Sequence, residues 1–139
     1  MPIQVLLVED NQADAFIFND LLLKSRPAYD CKVIGDGDEL INYLKSKKPS
    51  PGSPLPDVIF LDLNLPKRDG REVLKELSDL PDFCKIPVIV LSGSDRKEDI
   101  DEVYKAGAKA FITKPLSLTE YENMIAEILN VQFPRLGIG

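Results

Sequence analysis

Apolar residues in this chain fall into two alternating patterns. Four short runs are almost continuously apolar: Ile3–Val8, Val58–Leu61, Val88–Leu91 and Ala110–Thr113. A weaker one lies near Cys31–Ile34. Between them the apolar positions recur every three to four residues, the spacing of one helix face. That spacing predicts helices over Ala13–Ser25 (Ala15, Phe18, Leu22), Asp38–Lys47 (Leu40, Ile41, Leu44) and Gly70–Leu80 (Val73, Leu77, Leu80). Two more are predicted over Lys97–Ala106 (Ile100, Val103, Tyr104) and Leu118–Leu129 (Tyr121, Ile125, Ile128). Strands that alternate with helices indicate an α/β fold. Continuously apolar strands are expected where helices cover both faces of a parallel sheet.

Polar residues stand directly after those four runs. Glu9 and Asp10 follow the first, Asp62 the second, Ser92 the third and Lys114 the fourth. Ligands of open parallel sheets bind outside the carboxyl ends of the strands, so residues a hundred positions apart converge on one crevice. Three carboxylates, a hydroxyl and an ammonium can hold a hard cation and a phosphoryl group together. Two like charges about 4 Å apart repel by about 4 kcal/mol at an effective dielectric near 20. The cluster therefore calls for a raised pKa or a bound cation. Mg²⁺ suits it, because that ion takes oxygen ligands, one or two carboxylates and phosphate oxygens among them. Taken singly, Glu9–Asp10 or Asp62 reads as a solvated strand end or a helix cap; the joint pattern carries the site.

Composition narrows the alternatives. A chain of 139 residues is expected to form one domain with a substantial core. The net charge of -6 leaves no basic excess for phosphate backbones, so direct DNA binding is not expected. The apolar runs are too short for a membrane span or a signal peptide, and a cytoplasmic location is expected. Cys31 and Cys84 are too few for a disulfide framework and read as reduced, incidental thiols. Pro49–Pro56 holds four prolines and reads as a semi-rigid loop. The domain is placed at 1–130, and 131–139 is a short tail carrying Phe133, Leu136 and Ile138.

The segments LLVEDN (Leu6–Asn11), FLDLNLPKRDG (Phe60–Gly70), VIVLSGS (Val88–Ser94) and AFITKP (Ala110–Pro115) resemble the receiver domain of two-component response regulators. The resemblance spans roughly Ile3–Leu129, with the motifs in order. It is greatest to the stand-alone receivers that serve cyanobacterial phytochromes and related bacterial sensors. The resemblance implies a doubly wound, flavodoxin-like sheet of five parallel strands in the order 2-1-3-4-5. It implies that Asp62 is the phosphoacceptor and that Glu9, Asp10, Asp62 and the backbone carbonyl of Asn64 hold Mg²⁺. Ser92 then donates its hydroxyl to the phosphoryl group, Lys114 neutralises it and Phe111 is the switch aromatic. The implied donor is a sensor histidine kinase, a bacterial phytochrome among the candidates, or a phosphotransfer protein. The implied receiver of the signal is a downstream protein or a second copy of the chain.

Gly70 is expected to close the loop after the third strand, where glycine can take a positive φ without penalty, and Gly93 to leave room beside Ser92 for a phosphoryl group. By resemblance, Pro115 is expected to follow a cis bond. Two rival readings are a haloacid-dehalogenase-like phosphatase and a degenerate receiver that only binds protein. The phosphatase needs an acid two residues after its nucleophile, where this chain has Asn64. The degenerate receiver is disfavoured by the complete set of acids, hydroxyl and lysine. A signal carrier rather than an enzyme is the expectation.

Overall fold

Each apolar run becomes a strand of one sheet. The structure, a computed structural model, describes residues 3–25, 29–46, 55–65, 68–93, 96–114 and 117–132. Strands β1 (Ile3–Val8), β2 (Tyr29–Ile34), β3 (Val58–Asp62), β4 (Val88–Ser92) and β5 (Ala110–Thr113) alternate with five helices. These are α1 (Gln12–Ser25), α2 (Gly37–Ser46), α3 (Gly70–Asp79), α4 (Lys97–Lys105) and α5 (Leu118–Gln132). The strands pair in parallel in the order β2-β1-β3-β4-β5, as the resemblance implies.

Successive strand residues point to opposite faces, and the core divides accordingly. Ile3, Val5 and Leu7 of β1, Val58 and Phe60 of β3, Ile89 and Leu91 of β4 and Ile112 of β5 pack with α1 and α5. Leu6 and Val8, Ile59 and Leu61, and Val88 and Val90 pack with α2, α3 and Val103 of α4. Phe18 of α1 links one layer, meeting Phe60 at 4.8 Å between ring centroids and Tyr121 of α5 at 6.1 Å, both edge to face.

The starts of α1, α2, α3 and α5 are set by short polar caps. Asn11 Oδ1 accepts from the Asp14 N–H, Asp36 Oδ1 from Glu39, Asp69 Oδ1 from Arg71 and Ser117 Oγ from Glu120. These caps place the starts of α1 and α2 one residue earlier than periodicity predicts.

Several expectations shift. β2 begins at Tyr29, a buried residue, rather than Cys31. α5 continues three residues past Leu129, to Gln132. β5, at the sheet edge, is fully buried only at Ile112, because an edge strand lacks one neighbour. In α4 the predicted stripe reduces to Val103; Ile100 is half-buried and Tyr104 is exposed. Residues 49–54, Ser94, Asp95, Pro115 and the tail residues Phe133, Leu136 and Ile138 lie outside the described residues, as does the side chain of Ile128.

Candidate functional site

Strand parity assembles the site. Glu9 continues the alternation of Ile3, Val5 and Leu7, Asp62 that of Val58 and Phe60, and Lys114 that of Ile112. All three therefore meet at the carboxyl end of the sheet, on the side of α1 and α5. Ser92 continues Val88 and Val90 toward the other layer, where Phe111 packs half-buried against the core. The crevice thus has an ionic side and a hydroxyl–aromatic side.

Lys114 Nζ bridges two carboxylates, 2.6 Å from Asp62 Oδ2 and 2.8 Å from Glu9 Oε1. The second oxygen of each acid takes a backbone donor: Asn11 N–H to Glu9 Oε2 at 3.2 Å and Asn64 N–H to Asp62 Oδ1 at 2.8 Å. The Lys114 N–H donates to the Ser92 carbonyl at 2.6 Å, joining the ends of β4 and β5. Among the described residues, the buried side chains outside the apolar core are Glu9, Asp62 and Ser92, at 5%, 2% and 3% exposure. Burying charge is costly unless it is paired, so a fold that places its buried polar groups together has made a site there. Asp10 and Asn64 are exposed at its mouth.

Burial pushes the Glu9 carboxyl up to about 7; the neighbouring Asp62 adds to this and the Lys114 hydrogen bond opposes it. Burial alone would pull the Lys114 ammonium down, but its bonds to Asp62 and Glu9 hold it above the usual lysine range. One oxygen from each of Glu9, Asp10 and Asp62 lies within 4.8 Å of the others. An all-oxygen donor set of this size fits a hard divalent cation, which would offset both the burial and the Asp62 charge that raise Glu9.

The structure adds one group that sequence reasoning missed. Asp14, in the first turn of α1, places Oδ2 3.5 Å from Lys114 Nζ. Its spacing of four residues from Asp10, across the start of a helix, was the available signal. Gly70 also differs from expectation. Gly70 is required by close approach rather than by a positive φ: a Cβ there would lie 2.7 Å from Leu63 Cα and 2.9 Å from the Asp62 carbonyl oxygen. The positive φ belongs to Gly107, at 116°. Beside Ser92, a Cβ at Gly93 would meet nothing within 4 Å, so the space next to the hydroxyl is open.

A five-stranded 2-1-3-4-5 sheet with an acidic crevice over its central strands defines the receiver class, and comparison with known proteins agrees. Residues 5–126 match the response regulator receiver domain family, and the chain belongs to it. The response regulator Rcp1 of Synechocystis sp. is 36% identical over 127 residues, 91% of this chain and 86% of that protein. The crystal structure of the phosphorylated cyanobacterial phytochrome response regulator RcpA superposes with a TM-score of 0.84, at 36% identity, covering 95% of this chain and 94% of that one. The Mn²⁺-bound form of Rcp1 gives a TM-score of 0.80, also at 36% identity, over 93% of each chain. The chain is therefore a receiver of two-component signalling that resembles phytochrome-associated response regulators. Among the described residues no helix is long and apolar enough to cross a membrane.

Proposed function

We propose that the chain accepts a phosphoryl group on Asp62 from the phosphohistidine of a sensor kinase, and passes the signal on by changing shape. The observation that carries this reading is the Asp62 carboxylate itself: buried, 2.6 Å from the Lys114 ammonium and ringed by the oxygens of Glu9 and Asp10. A carboxylate oxygen of Asp62 attacks phosphorus as the bond to the donor imidazole breaks, and the imidazole leaves with that electron pair. Such transfers depend on positioning and charge neutralisation more than on covalent help from the protein. Lys114 holds the carboxylate and then faces the new phosphoryl oxygens, and the Ser92 hydroxyl donates to another of them. Glu9, Asp10, Asp62 and the Asn64 carbonyl would hold Mg²⁺, which supplies positive charge to the phosphoryl oxygens when bound.

The signal leaves through the other side of the crevice. Ser92 and Phe111 both face the layer containing α4, so drawing Ser92 toward the phosphoryl group opens space for Phe111 to turn inward. The face of α4, β5 and α5, which displays Tyr104 at 46% exposure, is where a downstream protein or a second copy docks. The similar protein named as a cyanobacterial phytochrome response regulator supports a phytochrome-type kinase as the donor. The net charge of -6 supports a protein rather than nucleic acid as the target.

The test is incubation with acetyl phosphate and Mg²⁺, read by intact mass. One phosphoryl group is expected on the wild-type chain and none on Asp62→Asn; undiminished labelling of Asp62→Asn would overturn the assignment.

A further inference from the structure

Polar ties join apolar burial in holding α4 to its neighbour. Val103 is the buried residue of this nine-residue helix. Arg71 of α3 grips its first turns: Nη2 lies 3.1 Å from Asp99 Oδ1, and Nε meets the Glu102 carboxylate. At the far end the Ser78 hydroxyl of α3 donates to the Ala106 carbonyl at 2.6 Å. Gly107 leaves room for that bond, since a Cβ there would collide with the Ser78 hydroxyl.

Arg71 is tied to the crevice as well. Its N–H donates to the Asp69 cap at 2.8 Å, and it follows Gly70 directly. Gly70 donates to the Leu63 carbonyl at 3.1 Å and packs on the Asp62 carbonyl too closely for a Cβ. The guanidinium that fixes α4 thus belongs to the residue after the one seated on the backbone of Asp62. This route does not pass through Ser92 or Phe111.

We propose that Arg71 is a positioning residue that latches α4 in its resting place and couples that helix to the loop after β3. Releasing the latch and phosphorylating Asp62 then favour each other. The inference rests on Asp62 being the phosphoacceptor. If the phosphorylated chain moves the β4–α4 connection inward, α4 shifts against α3 and the Arg71–Asp99 pair must give. Coupling of this kind is reciprocal, so a chain without the latch reaches the phosphorylated arrangement more readily. The Arg71 side chain is 30% exposed, and ion pairs of that exposure correspond to an effect of about twofold to fivefold.

The test uses the full chain as wild type, as Arg71→Gln, as Asp99→Asn with Glu102→Gln, and as all three substitutions together. Two quantities are read: amide exchange across α4, and the rate of phosphorylation by acetyl phosphate with Mg²⁺. Loosening from either side should raise both by about twofold to fivefold, and the combined variant should gain no more than either set alone. Faster exchange with an unchanged phosphorylation rate would make Arg71 a merely structural tie and overturn the coupling. Additive effects in the combined variant would overturn it too, because the two sides would then act separately. A wild-type chain that takes no label would overturn the Asp62 assignment itself, which the latch variants alone cannot do.

Discussion

Lys114 and Asp62 lie 52 positions apart in the chain, yet the ammonium nitrogen sits 2.6 Å from a carboxylate oxygen. The pair is bridged onward to Glu9 at 2.8 Å. One cation thus serves two buried acids, and its loss leaves both uncompensated. Lys114→Ala should keep a cooperative thermal transition but be less stable without metal by about 1–3 kcal/mol. Mg²⁺ should recover part of that loss. The same variant should fail to phosphorylate or to change shape; a fully active Lys114→Ala chain would count directly against the mechanism.

Asp10 is exposed at the mouth of the crevice, within reach of the ligand oxygens of Glu9 and Asp62. Asp10→Asn should therefore leave thermal stability within about 0.5 kcal/mol of wild type. Mg²⁺ or Mn²⁺ binding should weaken by at least the roughly 10–100-fold that losing a ligand-orienting partner costs. Calorimetric titration with Mn²⁺ reads the effect, and an unchanged affinity removes Asp10 from the metal set.

Glu9 gives the metal-free protein a pH dependence of defined sign. Its carboxyl rises from the usual 4.5 to about 7 in the folded chain, so the folded state binds more protons than the unfolded state between those values. Stability from this group is complete below about 4.5 and declines as pH rises toward 7. The full effect is on the order of 3 kcal/mol for a shift of this size. Lys114, held above its usual range, contributes stability that is lost only at alkaline pH, clear of this window. Thermal melts in EDTA should show the decline in wild type and not in Glu9→Gln. Added Mg²⁺ should stabilise more at pH 7.5 than at pH 5, where the proton competes with it.

The two thiols should differ sharply in reactivity. Burial pushes the Cys31 thiol up to about 11, whereas Cys84 is exposed. Thiolate is the reactive form, so a disulfide reagent at neutral pH should label Cys84 first and Cys31 only slowly. Equal rates would mean that β2 opens readily at the edge of the sheet.

Gly70→Ala tests the close approach beside Asp62. The new methyl would press on Leu63 Cα and the Asp62 carbonyl, and overpacking of this sort costs about 1–3 kcal/mol. Because the collision is with the backbone of Asp62, phosphorylation should slow as well. A variant of normal stability and rate would show that the loop yields freely.

Much of this protein is decided locally. Apolar runs of four to six residues that alternate with segments of three-to-four spacing fit strands of a covered parallel sheet joined by helices. The polar residues at the ends of those runs then name the site, since parallel strands all open at the same edge. Glu9, Asp10, Asp62, Ser92 and Lys114 are all legible on those grounds. Tertiary structure alone decided which face each of them meets. Parity about the strand axes sent Glu9, Asp62 and Lys114 toward α1 and α5, and Ser92 and Phe111 toward α4. It also decided what periodicity misjudged: α4 buries Val103 alone because it lies over the edge of the sheet, and Gly70 is needed because two backbones touch. Asp14 meets Lys114, and Arg71 meets Asp99 and Glu102, only across elements, so beyond the Asp10–Asp14 spacing no local pattern marks either contact. Local periodicity records which side of an element is buried; the approach of one element to another depends on side chains far away in sequence, and appears only once the chain has folded.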